Sequence, residues 1–330
     1  MTIVDIAKEA GYSVSTVSRV LNGRRDVSEE ARDRIMRIVE AYQFVPNNNA
    51  KHLKQTVSQS ILILVKGTSN MLFTNIIEVI QDTIEGSDYS LRVHYLDEDA
   101  DEVKEAVRMC REHKPMGILF LGGNIQYFHE EFELVNVPCV LVTDKLGFRN
   151  LASVSTDDMA AAEMAVDYLF DHGHRDIAVI GGDMALSSPS KYRKAGAKRS
   201  FIKHGCEFEE ESYAVARFSY ESAYNAMNRM LASQRSITAV FAMSDVMAVG
   251  AMRAIFDAGL RVPEDISVIG FDGTLLADYY NPKIVTVCQG YEKIARKSID
   301  LLFGMIDLNK PATHELVPFS LKNTESVSSI

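Results

Sequence analysis

The chain has 330 residues, 47% of them hydrophobic, which exceeds one average domain and suffices for a substantial buried core. Its formal net charge is −10, yet residues 1–58 hold nine Lys and Arg against seven Asp and Glu, leaving a head of +2 and a remainder of −12. A mildly basic head suits local contact with DNA, while the acidic remainder has no reason to bind phosphate chains. The cysteines, Cys110, Cys139, Cys206 and Cys288, are scattered without metal-like spacing, and no stretch is long enough to span a bilayer. The start of the chain lacks a charged segment followed by an apolar signal core. The expectation is a cytoplasmic protein without metal or cofactor.

The first predicted helix runs from about Thr2 to Ala10, with Thr2 as its cap and Ile3, Ile6, Ala7 and Ala10 on one face. Gly11 supplies the helix-ending conformation that a side chain resists. Ser13 caps a second helix, SVSTVSRVLN, in which Val17, Val20 and Leu21 pack on the first and Val14, Ser15, Ser18 and Arg19 face outward. Asn22-Gly23 ends it. Ser28 opens a third helix with Ala31, Ile35, Ile38 and Tyr42 as its buried stripe, and Val45-Pro46-Asn47 stops it. A short turn between two helices, with small polar residues and an arginine on the outer face of the second, is helix-turn-helix geometry, which reads DNA. The bland alternatives are a three-helix interaction module and an N-terminal extension of an enzyme. The following turn, Asn49-Ala50-Lys51-His52-Leu53-Lys54, carries two lysines and an exposed leucine.

From Ser60 onward, short apolar runs alternate with amphipathic stretches. Predicted strands at Ile61–Val65, Leu91–Tyr95, Gly117–Leu121 and Cys139–Val142 are separated by helices at Thr74–Glu85, Ala100–His113 and Tyr127–Val135. A second series of strands, Ile177–Ile180, Ala214–Arg217, Ala239–Ala242 and Ile266–Ile269, alternates with helices at Met159–His172, Lys191–His204, Glu221–Gln234 and Met247–Ala258. Apolar strands alternating with helices imply parallel sheets covered on both faces. The predicted fold class is therefore α/β: an all-α head, then two doubly wound parallel-sheet subdomains with a cleft between them. Ligands in such sheets sit beyond the carboxyl ends of the strands.

The runs DIAKEAGYSVSTVSRVLN, VSEEARDRI and FVPNNNAKHLK, together with SDVMAVGAMRAIFDAGLRVPEDISVIGFD at Ser244–Asp272, resemble the lactose-repressor (LacI/GalR) family of bacterial transcription regulators. The resemblance extends over nearly the whole chain. It implies a helix-turn-helix domain at 1–46, a hinge at 47–59 and an effector-binding domain of periplasmic-binding-protein type at 60–330. That domain would have an N-subdomain at about 60–156 and 289–318 and a C-subdomain at about 157–288 and 319–330, with crossings near Thr156, Gln289 and Pro318. The C-terminal stretch Asn323–Ile330 has no leucine heptad, which favours a homodimer over a tetramer.

For the head, the resemblance implies that Val14, Ser15 and Arg19 meet base edges. Arg19 is the strongest reader, because its fork pairs with guanine O6 and N7. Thr2, Thr16, Ser18, Asn22, Ser28 and Asn47 would serve phosphates, which position the protein without reading sequence. In the hinge, Leu53 would wedge into the minor groove of a palindromic operator, with Ala50 and Lys54 beside it on the DNA. Asn49 stands where the family often has an apolar residue.

For the cleft, the resemblance carries over Arg193 and Asp272 as partners of sugar hydroxyls, and Phe73 and Phe218 as walls against a sugar's apolar face. Ser244 is assigned to the effector site in place of the family's usual asparagine, with Asp245 capping the next helix. Thr143 stands where many members carry an acid, with Asp144 displaced by one position. The chain has neither a G-x-x-x-x-G-K-[ST] run nor a G-x-G-x-x-G fingerprint, and His172-Gly173-His174 reads as a turn. The expected protein is not an enzyme but a repressor of double-stranded operator DNA, controlled by a sugar-like small molecule. Two alternatives stay open: control by a protein partner, and an intracellular sugar-binding protein with a vestigial head.

Overall fold

The computed structural model describes residues 2–21, 27–42, 59–68, 70–146, 148, 151–233 and 236–330, and the chain divides into two units, 1–58 and 59–330. The first unit holds three helices, α1 (Ile3–Ala10), α2 (Val14–Leu21) and α3 (Glu29–Ala41). Thr2 begins α1 with a capping box: its hydroxyl accepts from the Asp5 amide, while its own amide donates to Asp5 Oδ2 at 2.8 Å. Gly11 then turns the chain at φ 75°, and its N–H closes on Ala7 and Lys8 carbonyls. Ser13 Oγ accepts from the Thr16 amide at 3.1 Å, and Ser28 Oγ from the Ala31 amide at 3.4 Å, so each later helix also starts on a serine. Ile6, Ala7, Ala10, Val17, Val20 and Ile35 form the small core. The side chain of Ile3 lies outside the described residues.

Tyr42 departs from its expected place in the α3 stripe. The helix ends at Ala41, and the ring lies 53% exposed with its hydroxyl donating to Glu9 Oε1 at 3.1 Å. An amphipathic ring with a polar tip is satisfied at the rim of a core this small.

The second unit contains two six-stranded sheets built to one plan. The first comprises β1 (Ser60–Lys66), β2 (Ser90–Leu96), β3 (Gly117–Leu121), β4 (Cys139–Val142), β5 (Leu151–Ser155) and β11 (His314–Leu316), ordered β11-β5-β4-β3-β1-β2. The second comprises β6 (Ile177–Gly181), β7 (Tyr213–Val215), β8 (Ala239–Ala242), β9 (Ser267–Asp272), β10 (Val285–Cys288) and β12 (Ser320–Lys322), ordered β12-β10-β9-β8-β6-β7. Strand periodicity assigns the cores: Ile61, Ile63 and Val65 enter one cluster and Leu62 and Leu64 another, on opposite faces of the first sheet. The covering helices are α4 (Met71–Ile84), α5 (Glu102–His113), α6 (Asp158–Asp171), α7 (Ser188–Lys203), α8 (Tyr220–Ala232), α9 (Asp245–Asp257), the short α10 (Leu275–Tyr279) and α11 (Tyr291–Leu308).

The chain passes between the sheets three times, at 156–157, 289–290 and 317–319. Every pairing between these strands is parallel except β10 with β12. The exception follows from the last crossing. β11 ends at the same edge of its sheet as its parallel neighbours, so the chain enters the second sheet from that edge and runs backward along β10.

Where the sequence predicts a helix at Tyr127–Val135, the structure has two 3₁₀ turns, Ile125–Tyr127 and Glu130–Leu134. Phe128 and Phe132 both turn inward around Phe120, with ring centroids 5.2 and 6.3 Å from it. A 3₁₀ turn rises ~2.0 Å per residue against ~1.5 Å in an α-helix, which lets a short connection place both rings and still reach β4. Elements not anticipated from the sequence are β5, β10, β11, β12, α10 and α11.

Candidate nucleic-acid interface and ligand cleft

On the head, α2 buries Val17 and Val20 and turns Val14, Ser15 and Arg19 to the exterior, with Ser18 half-buried. Val14 is 41% exposed although apolar, which the fold of the head does not require. At the start of α2 the hydroxyls of Ser13, Ser15 and Thr16 cluster, Ser13 Oγ lying 2.7 Å from Ser15 Oγ and 2.8 Å from Thr16 Oγ1. These oxygens and the first amides of α2 sit at the positive end of the helix, where phosphates bind. Thr2 and Ser28 are exposed at the starts of α1 and α3. The outward face of α2 thus offers hydroxyls, a helix start, the apolar side chain of Val14 and the arginine Arg19. Asn22, Asn47, Ala50, Leu53 and Lys54, and all of the hinge but Gln59, lie outside the described residues.

The second unit contains a cavity of about 350 Å³ beyond the carboxyl ends of the strands. Each sheet contributes strand-end residues: Lys66 and Gly67 at the end of β1, Gly122 and Gly123 after β3, and Thr143 after β4 from one; Gly182 and Ala216 after β6 and β7, and Asp272 at the end of β9, from the other. Leu72 and Phe73 from α4 and Val215 and Phe218 near β7 supply apolar wall. Phe73 is also core, only 7% exposed, so it packs and faces the cavity at once.

Arg193 reaches the cavity from α7, held on three sides. Its Nε donates to Asp158 Oδ1 at 2.7 Å, its Nη1 to the Met243 carbonyl at 2.6 Å, and its plane lies 3.8 Å over the Phe271 ring. Asp272 ends β9 at φ 117°, a strained conformation for a side-chain-bearing residue, and Oδ1 accepts from Gln289 Nε2 at 2.7 Å. Burial pushes its carboxyl well above the usual range, against the pull of Arg193. Asp245 anchors the loop behind it, accepting from the Thr274 amide at 2.7 Å, Thr274 Oγ1 at 2.8 Å and Thr286 Oγ1 at 2.6 Å.

Ser244 takes the capping role expected of Asp245. Ser244 is the cap of α9, its hydroxyl accepting from the Met247 amide at 3.1 Å, and it does not line the cavity. A buried serine at a helix start is consumed by the orphan amide next to it. Asp245 is the first helical residue and ties α9 to β10 and the β9 loop. Thr143, at φ 73°, does line the cavity, whereas Asp144 turns away. Asp144 is buried, Oδ2 has no hydrogen-bond partner among the described residues, and burial lifts its carboxyl to about 7.

Several polar residues at the cleft were not picked out from the sequence. Lys66 Nζ pairs with Glu102 Oε2 at 2.6 Å, and Glu102 also accepts the Asn124 amide. Arg217, after β7, spans to the other subdomain, meeting Asp99 at 2.5 Å and Asp97 at 3.2 Å. The neighbouring Phe218 amide donates to Glu98 Oε1 at 3.2 Å, and Asn124 Nδ2 donates to the Ala185 carbonyl at 3.1 Å. These bonds join the two walls across the cleft. The strand-end rule alone would have flagged both partners, since Asp97–Asp99 follow β2 and Arg217 follows β7. Among the described residues, no group of three His, Cys, Asp or Glu side chains could hold a metal, and no helix is long and apolar enough to cross a membrane.

The profile of bacterial regulatory proteins of the lacI family matches residues 2–47, and that of a periplasmic binding protein-like domain matches residues 166–327. The chain is 34% identical to the HTH-type transcriptional regulator MalR of Clostridium butyricum, over 100% of both chains. It is 33% identical to the probable HTH-type transcriptional repressor ExuR of Bacillus subtilis (strain 168), over 98% of this chain and 96% of that one. Among solved structures, the Lac repressor bound to ONPG in the repressed state superposes with a TM-score of 0.83 at 25% identity, covering 99% of each chain.

Proposed function

Because the chain belongs to the lacI family of bacterial regulatory proteins, we propose that it is a cytoplasmic repressor, not an enzyme, that binds a palindromic operator as a homodimer and answers to a sugar-like effector. In this reading, residues 1–46 bind DNA, 47–59 form the hinge and 60–330 bind the effector and the second subunit. The N-subdomain takes about 60–156 and 289–318, and the C-subdomain about 157–288 and 319–330.

The observation that carries the reading is the outward face of α2. Val14, Ser15 and Arg19 stand exposed on a helix whose other face is the core of the head. Arg19 reads a guanine by its fork, Val14 meets a thymine methyl, and Ser15 accepts more than one base. Thr2, Thr16, Ser18 and Ser28 fix the register on phosphates, and two heads on one palindrome fix the half-site spacing.

The effector enters the cavity between the two sheets. Arg193 and Asp272 meet its hydroxyls, while Phe73 and Phe218 cover its C–H face. Because each wall belongs to a different sheet, a ligand touching both favours one relative setting of the subdomains. It shifts DNA affinity only through its differential affinity for the two settings. A change from 1:99 to 99:1 needs a preference of ~10⁴-fold.

The test is Arg19→Ala in the intact chain, with DNA selected by the wild-type protein from a random pool. Operator affinity should fall while cleft binding stays. Undiminished operator affinity removes α2 as the reading element.

A further inference from the structure

We propose that the cleft accepts uncharged polyhydroxylated ligands and refuses the carboxylate and phosphate forms of the same skeletons. This rests on the reading of the cleft as a sugar-type effector site. Among the described residues lining the cavity, three are cations, and each is already matched. Lys66 belongs to Glu102, Arg193 to Asp158, and Arg217 to Asp97 and Asp99. Both Lys66 and Arg193 are held in low-dielectric surroundings, their side chains 8% and 4% exposed.

An anionic ligand meets a cost at each cation. Taking Lys66 or Arg193 from its partner strands a buried carboxylate, and at Arg217 the ligand must compete with two exposed carboxylates, Asp97 and Asp99. The wall itself repels it, since Glu98, Asp99, Asp183 and Asp272 line the cavity and Glu102 and Asp158 stand directly behind the cations. Among the described lining residues Glu98, Asp99 and Asp183 match the three cations in number without Asp272, and each cation is already paired with a carboxylate. Hydroxyl groups face no such cost. They donate to carboxylate oxygens, which are acceptors only, and accept from the guanidinium N–H groups of Arg193 not committed to Asp158 and Met243. Specificity of this kind comes from the repulsive element as much as from the attractive one.

The experiment is calorimetric titration of the full-length protein at pH 7.5 with matched probes. These are glucose, galactose and maltose; glucuronate and galacturonate; and glucose 6-phosphate and galactose 6-phosphate. A cooperative thermal melt first confirms that the chain is folded. The expected result is one neutral sugar bound per chain, with its acid and phosphate counterparts weaker by about tenfold or more. Asp183→Asn, which removes one negative charge from the wall, should narrow that ratio. An acid or phosphate that binds tighter than its neutral counterpart overturns the proposal and leaves the sugar-site reading intact. If no probe of either charge binds the folded protein, the sugar-site reading falls and the proposal with it.

Discussion

The outward face of α2 and the wall of the cleft each present an arginine and hold it in opposite ways. On α2, Val14, Ser15 and Arg19 are exposed, so a partner of any size can reach them. In the cleft, Lys66 and Arg193 are buried with their carboxylates, and Asp272 is fixed by Gln289. An exposed side chain contributes little to folding and is open to change by function alone. A buried pair is preorganised for a small ligand, and the fold depends on it. One kind of substitution should therefore alter binding with the melt unchanged, and the other should alter both.

The largest effect expected on this contrast comes from Asp158→Ala. It strands the Arg193 guanidinium inside the second unit and should destabilise that unit by about 3–5 kcal/mol, read from urea unfolding. Arg19→Ala should move the unfolding of the head by less than about 0.5 kcal/mol. Equal costs at the two positions would erase the distinction.

Asp144 sharpens it through pH. Burial raises this carboxyl from 3.8 to about 7 in the folded state. The folded protein therefore holds the proton more tightly, and the stability this gives is full below about pH 4 and lost as pH rises through 7. Asn at this position has no proton to lose. Relative to the wild type, Asp144→Asn should gain stability between pH 4 and 7 and level off above it, by on the order of 2–4 kcal/mol. A pH-independent difference between the two proteins would break the assignment.

For DNA, Arg19→Ala should cost roughly 1–3 kcal/mol of discrimination at the guanine it reads, measured by competition between single-base operator variants. Arg217→Gln should likewise leave unfolding nearly unchanged, because its pairs with Asp97 and Asp99 are half-exposed. Because these pairs cross the cleft, the variant should still bind and release effector faster in stopped-flow measurements. Unchanged rates would reduce the bridge to surface decoration.

How much of this was legible in the sequence depended on distance along the chain. Caps and periodic stripes are local, so Thr2, Gly11, Ser13 and Ser28 announced the three helices of the head, and the alternation of apolar runs announced two parallel sheets. Resemblance to a known family directed attention to Phe73, Arg193, Phe218 and Asp272, all of which line the cavity. Contacts between remote segments were not legible. The Arg217–Asp99 pair joins positions 118 residues apart, and nothing in either neighbourhood names the other. Ser244 and Asp245 were misassigned for a subtler reason: either residue type can cap a helix, and only the position of Thr274 and Thr286 decides which one does. The 127–135 segment carries a helical spacing of aromatics, yet Phe120 draws both rings in through 3₁₀ turns.

The central claim is that one chain reads DNA with α2 and is controlled through the cleft. The direct measurement is fluorescence anisotropy of the intact protein on a labelled palindrome selected from random DNA. It is titrated with and without the sugar that calorimetry shows to bind, for wild type and Arg19→Ala. The account predicts tight binding that Arg19→Ala weakens, and a shift of at least about tenfold when the sugar is added, within the usual range of coupling between two sites. A sugar that fills the cleft and leaves operator affinity unchanged would contradict it.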